Sequence, residues 1–172
     1  MYVDMPIEQL IRRADTRFQF GFANEARDLV PPRDEFMLSP TRHGLRVLAR
    51  NEDSLQRPVA VLREVYGPRL EVHPPEVRLI GGARVQEPIM HVRISLNTRH
   101  LDVVKAALEK RGATPAEEYV RSSYAVLRYE APLADLLGLP GELSRLTEAA
   151  AKHWIVLSHY AVVDRDPGGK AA

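Results

Sequence analysis

The chain of 172 residues contains no cysteine, so a disulfide framework and a cysteine-ligated zinc site are both excluded. It also lacks any apolar run near the roughly 20 residues that a membrane-spanning helix needs. The first ten residues lack a basic region followed by an apolar core, which a secretory signal would show. We therefore expect a cytoplasmic protein with no membrane partner.

An excess of charge of one sign is missing as well. The 24 Lys and Arg residues nearly balance the 23 Asp and Glu residues, which gives a formal net charge of +1. A dedicated nucleic-acid-binding domain is usually strongly basic, so the composition argues against that class. The basic residues are mostly Arg, whose planar guanidinium suits phosphate contacts. The 45% of hydrophobic residues suffices for the core of one large or two small domains.

Nucleotide and metal motifs are missing too. No G-x-x-x-x-G-K-[ST] phosphate loop occurs, which predicts that the chain holds no nucleotide. None of the six histidines pairs at the i, i+4 spacing of a helical zinc motif. His91 and His159 could meet across neighbouring strands, but structural or surface roles are the better interpretation. We predict no metal and no cofactor.

No catalytic residues are predicted. Glu117 and Glu118 are adjacent, so in a strand they would point to opposite faces, and a solvated loop is the simpler interpretation. Ser158 and His159 are also adjacent, and we expect their side chains to diverge. The sequence therefore predicts that the chain is not an enzyme.

Residues 87–164 carry the clearest pattern. Apolar and polar residues alternate from His91 to Leu96, which predicts a strand. A helix through Leu101 and Leu108, two strands, a second helical region from Pro132 and a final strand from Trp154 follow. The order β-α-β-β-α-β predicts an α+β, ferredoxin-like fold, in which both helices cover one face of a four-stranded antiparallel sheet.

Five motifs lie in order within this stretch. They are Glu87-Pro88-Ile89-Met90-His91-Val92, Lys110-Arg111-Gly112, Ala131-Pro132-Leu133-Ala134-Asp135-Leu136-Leu137-Gly138, Leu143-Ser144-Arg145-Leu146-Thr147 and Ser158-His159-Tyr160. In order and spacing they resemble the last domain of translation elongation factor G. The resemblance implies a ferredoxin-like fold and a contact with the RNA or protein of the large ribosomal subunit.

A second resemblance covers the region before this domain. Arg63-Glu64-Val65-Tyr66-Gly67 and Pro75-Glu76-Val77 are similar to the end of the third domain of elongation factor G. Gly81-Gly82-Ala83 would then connect the third domain directly to the last, without the GTPase and fourth domains. We predict a smaller α/β unit over residues 1–82, a ferredoxin-like domain over 83–165 and a flexible tail over 166–172.

The N-terminal region matches no motif. Asp4 is a candidate cap for a first helix with an apolar stripe of Ile7, Leu10, Ile11 and Ala14. The alternation of Phe18, Phe20 and Phe22 predicts three rings on one side of an extended segment, as a hydrophobic anchor rather than a base-stacking platform. Later segments predict a helix over residues 24–30, a strand over 45–49 and a helix over 55–66 that buries Val59, Leu62, Val65 and Tyr66.

Two sets of residues are candidates for contact with a partner. The candidate RNA or partner contacts are Arg93, Lys110, Arg111, Arg121 and Arg145. The candidate interface is Trp154, Val156 and Tyr160, which should lie together on the sheet face away from the helices, covered by the N-terminal region or by a second copy.

These residues support two hypotheses. The first is a non-catalytic module that associates with the ribosome or RNA in translation. The second is a protein-interaction or regulatory module that self-associates as a homo-oligomer through its sheet face. The segment Glu148-Ala149-Ala150-Ala151 departs from the family, because it is acidic and helix-favouring where the family has a basic loop containing glycine.

Overall fold

The computed structural model describes residues 3–163. The chain divides into two compact units, with the boundary between Val77 and Arg78. We call them the first and the second unit. The elements of the first unit are β1 (Ile7–Arg13), α1 (Gln19–Leu29), β2 (Phe36–Thr41), β3 (Gly44–Ala49), α2 (Asp53–Tyr66), β4 (Leu70–Val72) and β5 (Glu76–Val77).

The first unit has the same topology that the sequence predicted for the second. Its sheet order is β2-β3-β1-β4, with β5 also paired to β1, and all pairs are antiparallel. Its β-α-β-β-α-β order is ferredoxin-like as well. The sequence predicted only a smaller α/β unit here, because the first strand was assigned to a helix.

The predicted helix after Asp4 is wrong, since residues 7–13 form the central strand β1. Ile7 and Ile11 are both buried and lie four residues apart, a spacing that fits a helix and a strand equally well. Between them Gln9 is buried on the same side, where its amide nitrogen donates to the carbonyl of His73 at 2.9 Å. This polar residue in a buried position hid the alternation.

The phenylalanine segment is helical rather than extended. Helix α1 begins at Gln19, which places Phe22 in the core and leaves Phe18 70% exposed. The Phe22 ring packs edge-on against Tyr66, with centroids 5.1 Å apart. The three rings therefore do not share one side, and the predicted continuous anchor is wrong.

Helix α2 and strand β3 agree closely with the sequence prediction. The side chain of Asn51 accepts a hydrogen bond from the backbone amide of Ser54 at 3.0 Å, which helps to begin α2. The buried face of α2 consists of Leu55, Pro58, Leu62 and Tyr66. The expected burial of Val65 is wrong, since it is exposed, and Val59 is only half-buried.

The second unit confirms the ferredoxin-like prediction. Its elements are β6 (Gln86–Asn97), α3 (Leu101–Lys110), β7 (Thr114–Val120), β8 (Tyr124–Pro132), α4 (Leu133–Leu136), α5 (Leu139–Leu146) and β9 (Lys152–Val162). The strands form an antiparallel sheet in the order β7-β8-β6-β9. At the end of α3, Gly112 has a φ of 72°, as the predicted helix stop requires.

One face of this sheet forms the core with the helices. Alternate residues of the two central strands are buried there: Met90, Val92, Ile94 and Leu96 on β6, and Ala125, Leu127, Tyr129 and Ala131 on β8. The helices bury Val104, Ala107, Leu108, Leu133, Leu136, Leu139 and Leu143. Among the described residues of the second unit, no helix covers the opposite face of the sheet, which we call the open face.

The segment after α5 does not continue as a helix. Helix α5 ends at Leu146, and Glu148 and Ala149 have φ values of 52° and 61°. This left-handed conformation lets the Ala149 amide donate to the Ser144 carbonyl at 2.7 Å. The helix-favouring composition is overridden, and two residues with a Cβ occupy a conformation that glycine adopts without strain.

Among residues 3–163, no helix is both long and apolar enough to cross a membrane. The tail predicted for residues 166–172 lies outside the described part of the chain.

Candidate partner-binding face

The strand register defines which side chains share the open face. Arg93 on β6 lies opposite Arg128 on β8 and Trp154 on β9. Paired residues of an antiparallel sheet point to the same side, so these three side chains lie in one row across the open face. The row above it contains His91, Glu130 and Val156.

A β-bulge changes the face of Tyr160. Met90 pairs with Leu157 and Ile89 pairs with His159, so Ser158 is the extra residue of β9. Beyond it the alternation is inverted, and Tyr160 pairs with the buried Pro88 on the helix side. The prediction that Tyr160 shares a face with Trp154 and Val156 is therefore wrong.

Trp154 forms a stack with Arg93. The Arg93 guanidinium carbon lies 5.1 Å from the indole centroid, within the range of a cation–π contact. Trp154 is 47% exposed and Val156 is 53% exposed. Cover of this edge by another surface stays a prediction.

A groove of about 630 Å³ runs beside this stack, with Arg93, Glu117, Arg128, Trp154 and Val156 in its lining. Arg128 lies 3.5 Å from the Glu117 carboxylate, and both side chains are more than half exposed. Arg93 has no carboxylate partner within residues 3–163. The groove therefore brings two arginines and one carboxylate together.

A pair of tyrosines lies on the same face, and the sequence analysis missed it. Tyr119 on β7 pairs with Val126, and Tyr124 at the start of β8 is its diagonal neighbour. Their ring centroids are 6.1 Å apart, and the Arg121 guanidinium lies 4.9 Å from the Tyr119 centroid. Arg121 also donates a hydrogen bond to the Tyr119 hydroxyl. In the sequence, only the short turn between β7 and β8 indicated that Tyr119 and Tyr124 lie close together, because the length of a hairpin turn sets which residues of its two strands face each other.

The two strand histidines do not meet. His91 Nδ1 lies 3.3 Å from the Glu130 carboxylate, whereas His159 pairs with Ile89 on the other side of the bulge. His159 Nδ1 lies 2.9 Å from Ser158 Oγ, so the expected divergence of these neighbours is wrong at the bulge. Within residues 3–163 no carboxylate orients the His159 ring, and no cluster of three metal-ligating residues occurs.

Glu117 and Glu118 lie in strand β7 rather than in a loop. They point to opposite faces, as adjacent strand residues must: Glu117 faces Arg128, and Glu118 accepts a hydrogen bond from Lys105 of α3 at 2.9 Å. The bond to Glu118 raises the pKa of Lys105. The two carboxylates therefore serve separate ion pairs.

Arg111 is engaged inside the second unit. Its Nε and Nη2 donate to Glu142 at 3.0 and 2.6 Å, and its Nη1 donates to the carbonyls of Asp135 and Leu137 at 2.9 Å each. These bonds satisfy the end of α4 and join α3 to α5. We call this set of bonds the Arg111 clamp, and it uses the donors that a phosphate would need.

The other candidate cations are exposed. Lys110 is at the end of α3 and Arg145 is on α5, both on the helix side, while Arg93 and Arg121 are on the open face. None of the four has a carboxylate partner within residues 3–163. They are therefore available to an external anion, on two different sides of the unit.

Known proteins match the second unit. A family model described as Elongation factor G C-terminus matches residues 84–170. Ribosome-releasing factor 2, mitochondrial, from Danio rerio is 32% identical over 80 residues, which are 46% of this chain and 10% of that protein. Elongation factor G 2 from Hahella chejuensis (strain KCTC 2396) is 32% identical over 78 residues, which are 45% of this chain and 12% of that protein.

The fold also matches a solved structure. A crystal structure of a Thermus thermophilus protein covers 92% of this chain with a TM-score of 0.66 and 14% sequence identity, and the match spans 41% of that protein. At this identity the likeness concerns the fold alone. For the two relatives named above, the chain spans only about a tenth of the length of each. Because the family model matches half of its residues, the chain belongs to the elongation factor G C-terminus family.

Proposed function

We propose that the chain is a non-catalytic module of translation that associates with the large ribosomal subunit, in the cytoplasm. The observation that carries this proposal is the family match over residues 84–170. The names of the two relatives, a ribosome-releasing factor and an elongation factor, support it. Arg93, Lys110, Arg121 and Arg145, which have no carboxylate partner within residues 3–163, supply the chemistry, because ribosomal RNA presents a dense array of phosphates.

The net charge limits the strength of this association. A formal charge of +1 gives little long-range attraction to RNA, so the affinity depends on local cations and on few phosphate contacts. Arg145 and Lys110 are our choices on the helix side, because both are exposed and lie in the motifs shared with the family. Arg111 is not proposed as a contact, since the Arg111 clamp occupies its donors.

Co-sedimentation with purified ribosomal subunits tests the proposal. We expect the chain to sediment with large subunits at low salt, to be absent from small subunits, and to dissociate as salt rises. Arg145→Ala together with Lys110→Ala should weaken binding. Arg27→Ala is the matched control, because this exposed arginine of the first unit is paired with Asp28 at 3.1 Å. Absence from large subunits at low salt would refute the proposal.

The non-catalytic part has its own test. The 172 residues contain no phosphate loop, so the chain has no means of holding a triphosphate in the manner of the family's GTPase domain. We expect no heat of binding when GTP is titrated into the chain. Micromolar binding in that calorimetry would overturn this part of the proposal and leave the ribosome contact untouched.

Self-association is the second candidate function. Exposed Trp154 and Val156 are adjacent on one face of β9, an edge strand of the sheet, and contiguous exposed apolar groups often mark protein interfaces. A dimer in sedimentation velocity that Trp154→Ala converts to a monomer would favour this candidate. A monomer at all concentrations would remove it.

A further inference from the structure

We infer that the open face of the second unit binds single-stranded RNA, with a phosphate held between Arg93 and Arg128 and a base stacked on Trp154. This inference rests on the proposed function, because it names the surface and the form of RNA through which the module would act. It concerns a different surface from Lys110 and Arg145, which lie on the helix side.

The charge arrangement is the first argument. Arg93 and Arg128 are cross-strand partners on β6 and β8, where like charges destabilise a sheet. Their guanidiniums turn to different neighbours, that of Arg93 to Trp154 on β9 and that of Arg128 to Glu117 on β7. Within residues 3–163, Arg128 has a carboxylate within 4 Å, Glu117 at 3.5 Å, and Arg93 has none. That pair is exposed on both sides, so it contributes little and can exchange for a phosphate. An anion between the two arginines would remove the repulsion.

The stack of Arg93 on Trp154 is the second argument. Stacking holds the guanidinium over the indole at 5.1 Å and leaves its N–H groups at the edge, where a phosphate can accept from them. The indole is still 47% exposed, so part of the ring remains open to a base. Base–aromatic stacking and a phosphate contact are thus available within one row of the sheet.

The tyrosine pair extends the same surface. Tyr124 pairs with Asn97, four residues along β6 from Arg93, so it lies roughly 13 Å along the strands from the Trp154 row. Tyr119 pairs with Val126, which lies opposite Ser95, so it is roughly 7 Å from that row. Tyr119 and Tyr124 are 45% and 46% exposed. Aromatic rings at both ends with arginines between them form a platform for a short run of nucleotides.

Single strands are the form of RNA that this surface fits. The rings lie nearly level with a broad sheet, and they can stack only on bases that are not already stacked within a duplex. A double helix would present phosphates alone and leave Trp154, Tyr119 and Tyr124 unused. A protein partner would leave the juxtaposed arginines unexplained unless it brought a carboxylate.

The test uses the full chain and a labelled twelve-nucleotide uridine oligomer. Trp154 is the only tryptophan of the chain, so its fluorescence reports the open face directly. We expect quenching of Trp154 together with a rise in oligomer anisotropy at low salt, and at least tenfold weaker binding to a duplex of equal length. Because a single phosphate is held between the two arginines, we expect a slope of log K against log salt of about −0.7.

Variants separate the contributions. Arg93→Ala and Arg128→Ala should each weaken binding severalfold and flatten the salt slope, since each removes one of the two cations that hold the phosphate. Trp154→Phe should weaken binding and leave the slope unchanged. Arg27→Ala in the first unit is the matched control, because this exposed arginine is paired with Asp28 at 3.1 Å, and it should bind the oligomer as the unaltered chain does. These side chains are exposed, and circular dichroism checks that each variant remains folded.

The outcomes are distinguishable from failure of the proposed function. No quenching and no anisotropy change at low salt would overturn the inference, even if the chain still sediments with large subunits through its helix side. Binding that survives Arg93→Ala and Arg128→Ala but is lost in Arg145→Ala would overturn it as well. A dimer that buries Trp154 and excludes the oligomer would overturn it too and assign the open face to a second copy.

Discussion

At the scale of single residues, Arg111 shows how a conspicuous cation can belong to the fold. Its position in a family motif suggested a phosphate contact, yet four hydrogen bonds tie it to Glu142 and to two carbonyls. Its side chain is largely shielded, with 20% of its surface exposed. Hydrogen bonds to a shielded charge are among the stronger ones in a folded protein.

Replacing Arg111 by Ala should therefore destabilise the protein. We expect a loss of roughly 2–3 kcal/mol in the free energy of unfolding, because Glu142 and the end of α4 lose their donors. Lys110→Ala is the matched control, since Lys110 is next to Arg111 in the chain and its side chain is exposed. This variant should change the free energy of unfolding by less than about 0.5 kcal/mol. Equal effects of the two variants in urea unfolding would show that the Arg111 clamp contributes nothing special.

Tyr66 carries a pH dependence. Burial, with the nearby Glu25 carboxylate, raises the pKa of its phenol from 10.0 to about 12. A raised folded pKa means that the stability from this group is complete below pH 10 and is lost as pH rises towards 12. Over that pH range, Tyr66→Phe should lose less stability than the unaltered chain. The exposed Tyr124→Phe should show no such protection, and identical pH profiles for all three proteins would contradict the assignment.

At the scale of elements, the turn after α5 is strained. Ala149 has a φ of 61°, and a residue with a Cβ in this conformation costs roughly 1–2 kcal/mol. Glycine would relieve that cost but would lose more entropy on folding. The balance favours the folded state with glycine at this position.

We expect Ala149→Gly to stabilise the protein by about 0.5–1 kcal/mol. The neighbouring Ala150 lacks a positive φ, so Ala150→Gly is the matched control and should destabilise slightly. The two midpoints in thermal or urea unfolding give the comparison directly. A loss of stability in Ala149→Gly would show that the left-handed turn is not strained.

The elements also show what the sequence could predict. The second unit was predictable because its two central strands, β6 and β8, alternate cleanly and its motifs match a family. Strand β1 was not, because Ile7 and Ile11 fit two periodicities and Gln9 interrupts the alternation. The face of Tyr160 was not either, because the bulge at Ser158 has no glycine or proline to reveal it.

The sequence predicted only some of the side chains that share the open face. Trp154 and Val156 were assigned to one face correctly, since simple alternation holds up to the bulge. The pairing of Arg93 with Arg128 depends on the register of β6 and β8. That register cannot be read from the sequence of each strand alone. Tyr119 and Tyr124 were missed because their contact crosses two strands diagonally.

At the scale of the whole molecule, the chain combines two units of the same topology. Each has a four-stranded antiparallel path in which the first strand is central and the last lies beside it at the edge. The family match concerns the second unit, residues 84–170, and the likeness of the first to the third domain of elongation factor G stays a prediction. We propose that the second unit supplies the contact with the ribosome.

Competition for ribosomes tests that claim most directly. Full-length elongation factor G, fluorescently labelled, is bound to ribosomes at low salt, and the unlabelled chain is titrated in. We predict that the chain displaces the factor, because its second unit belongs to the same domain family. A variant with Arg93→Ala, Lys110→Ala and Arg145→Ala should displace it much less. Full retention of the labelled factor at a large excess of the chain would contradict the account.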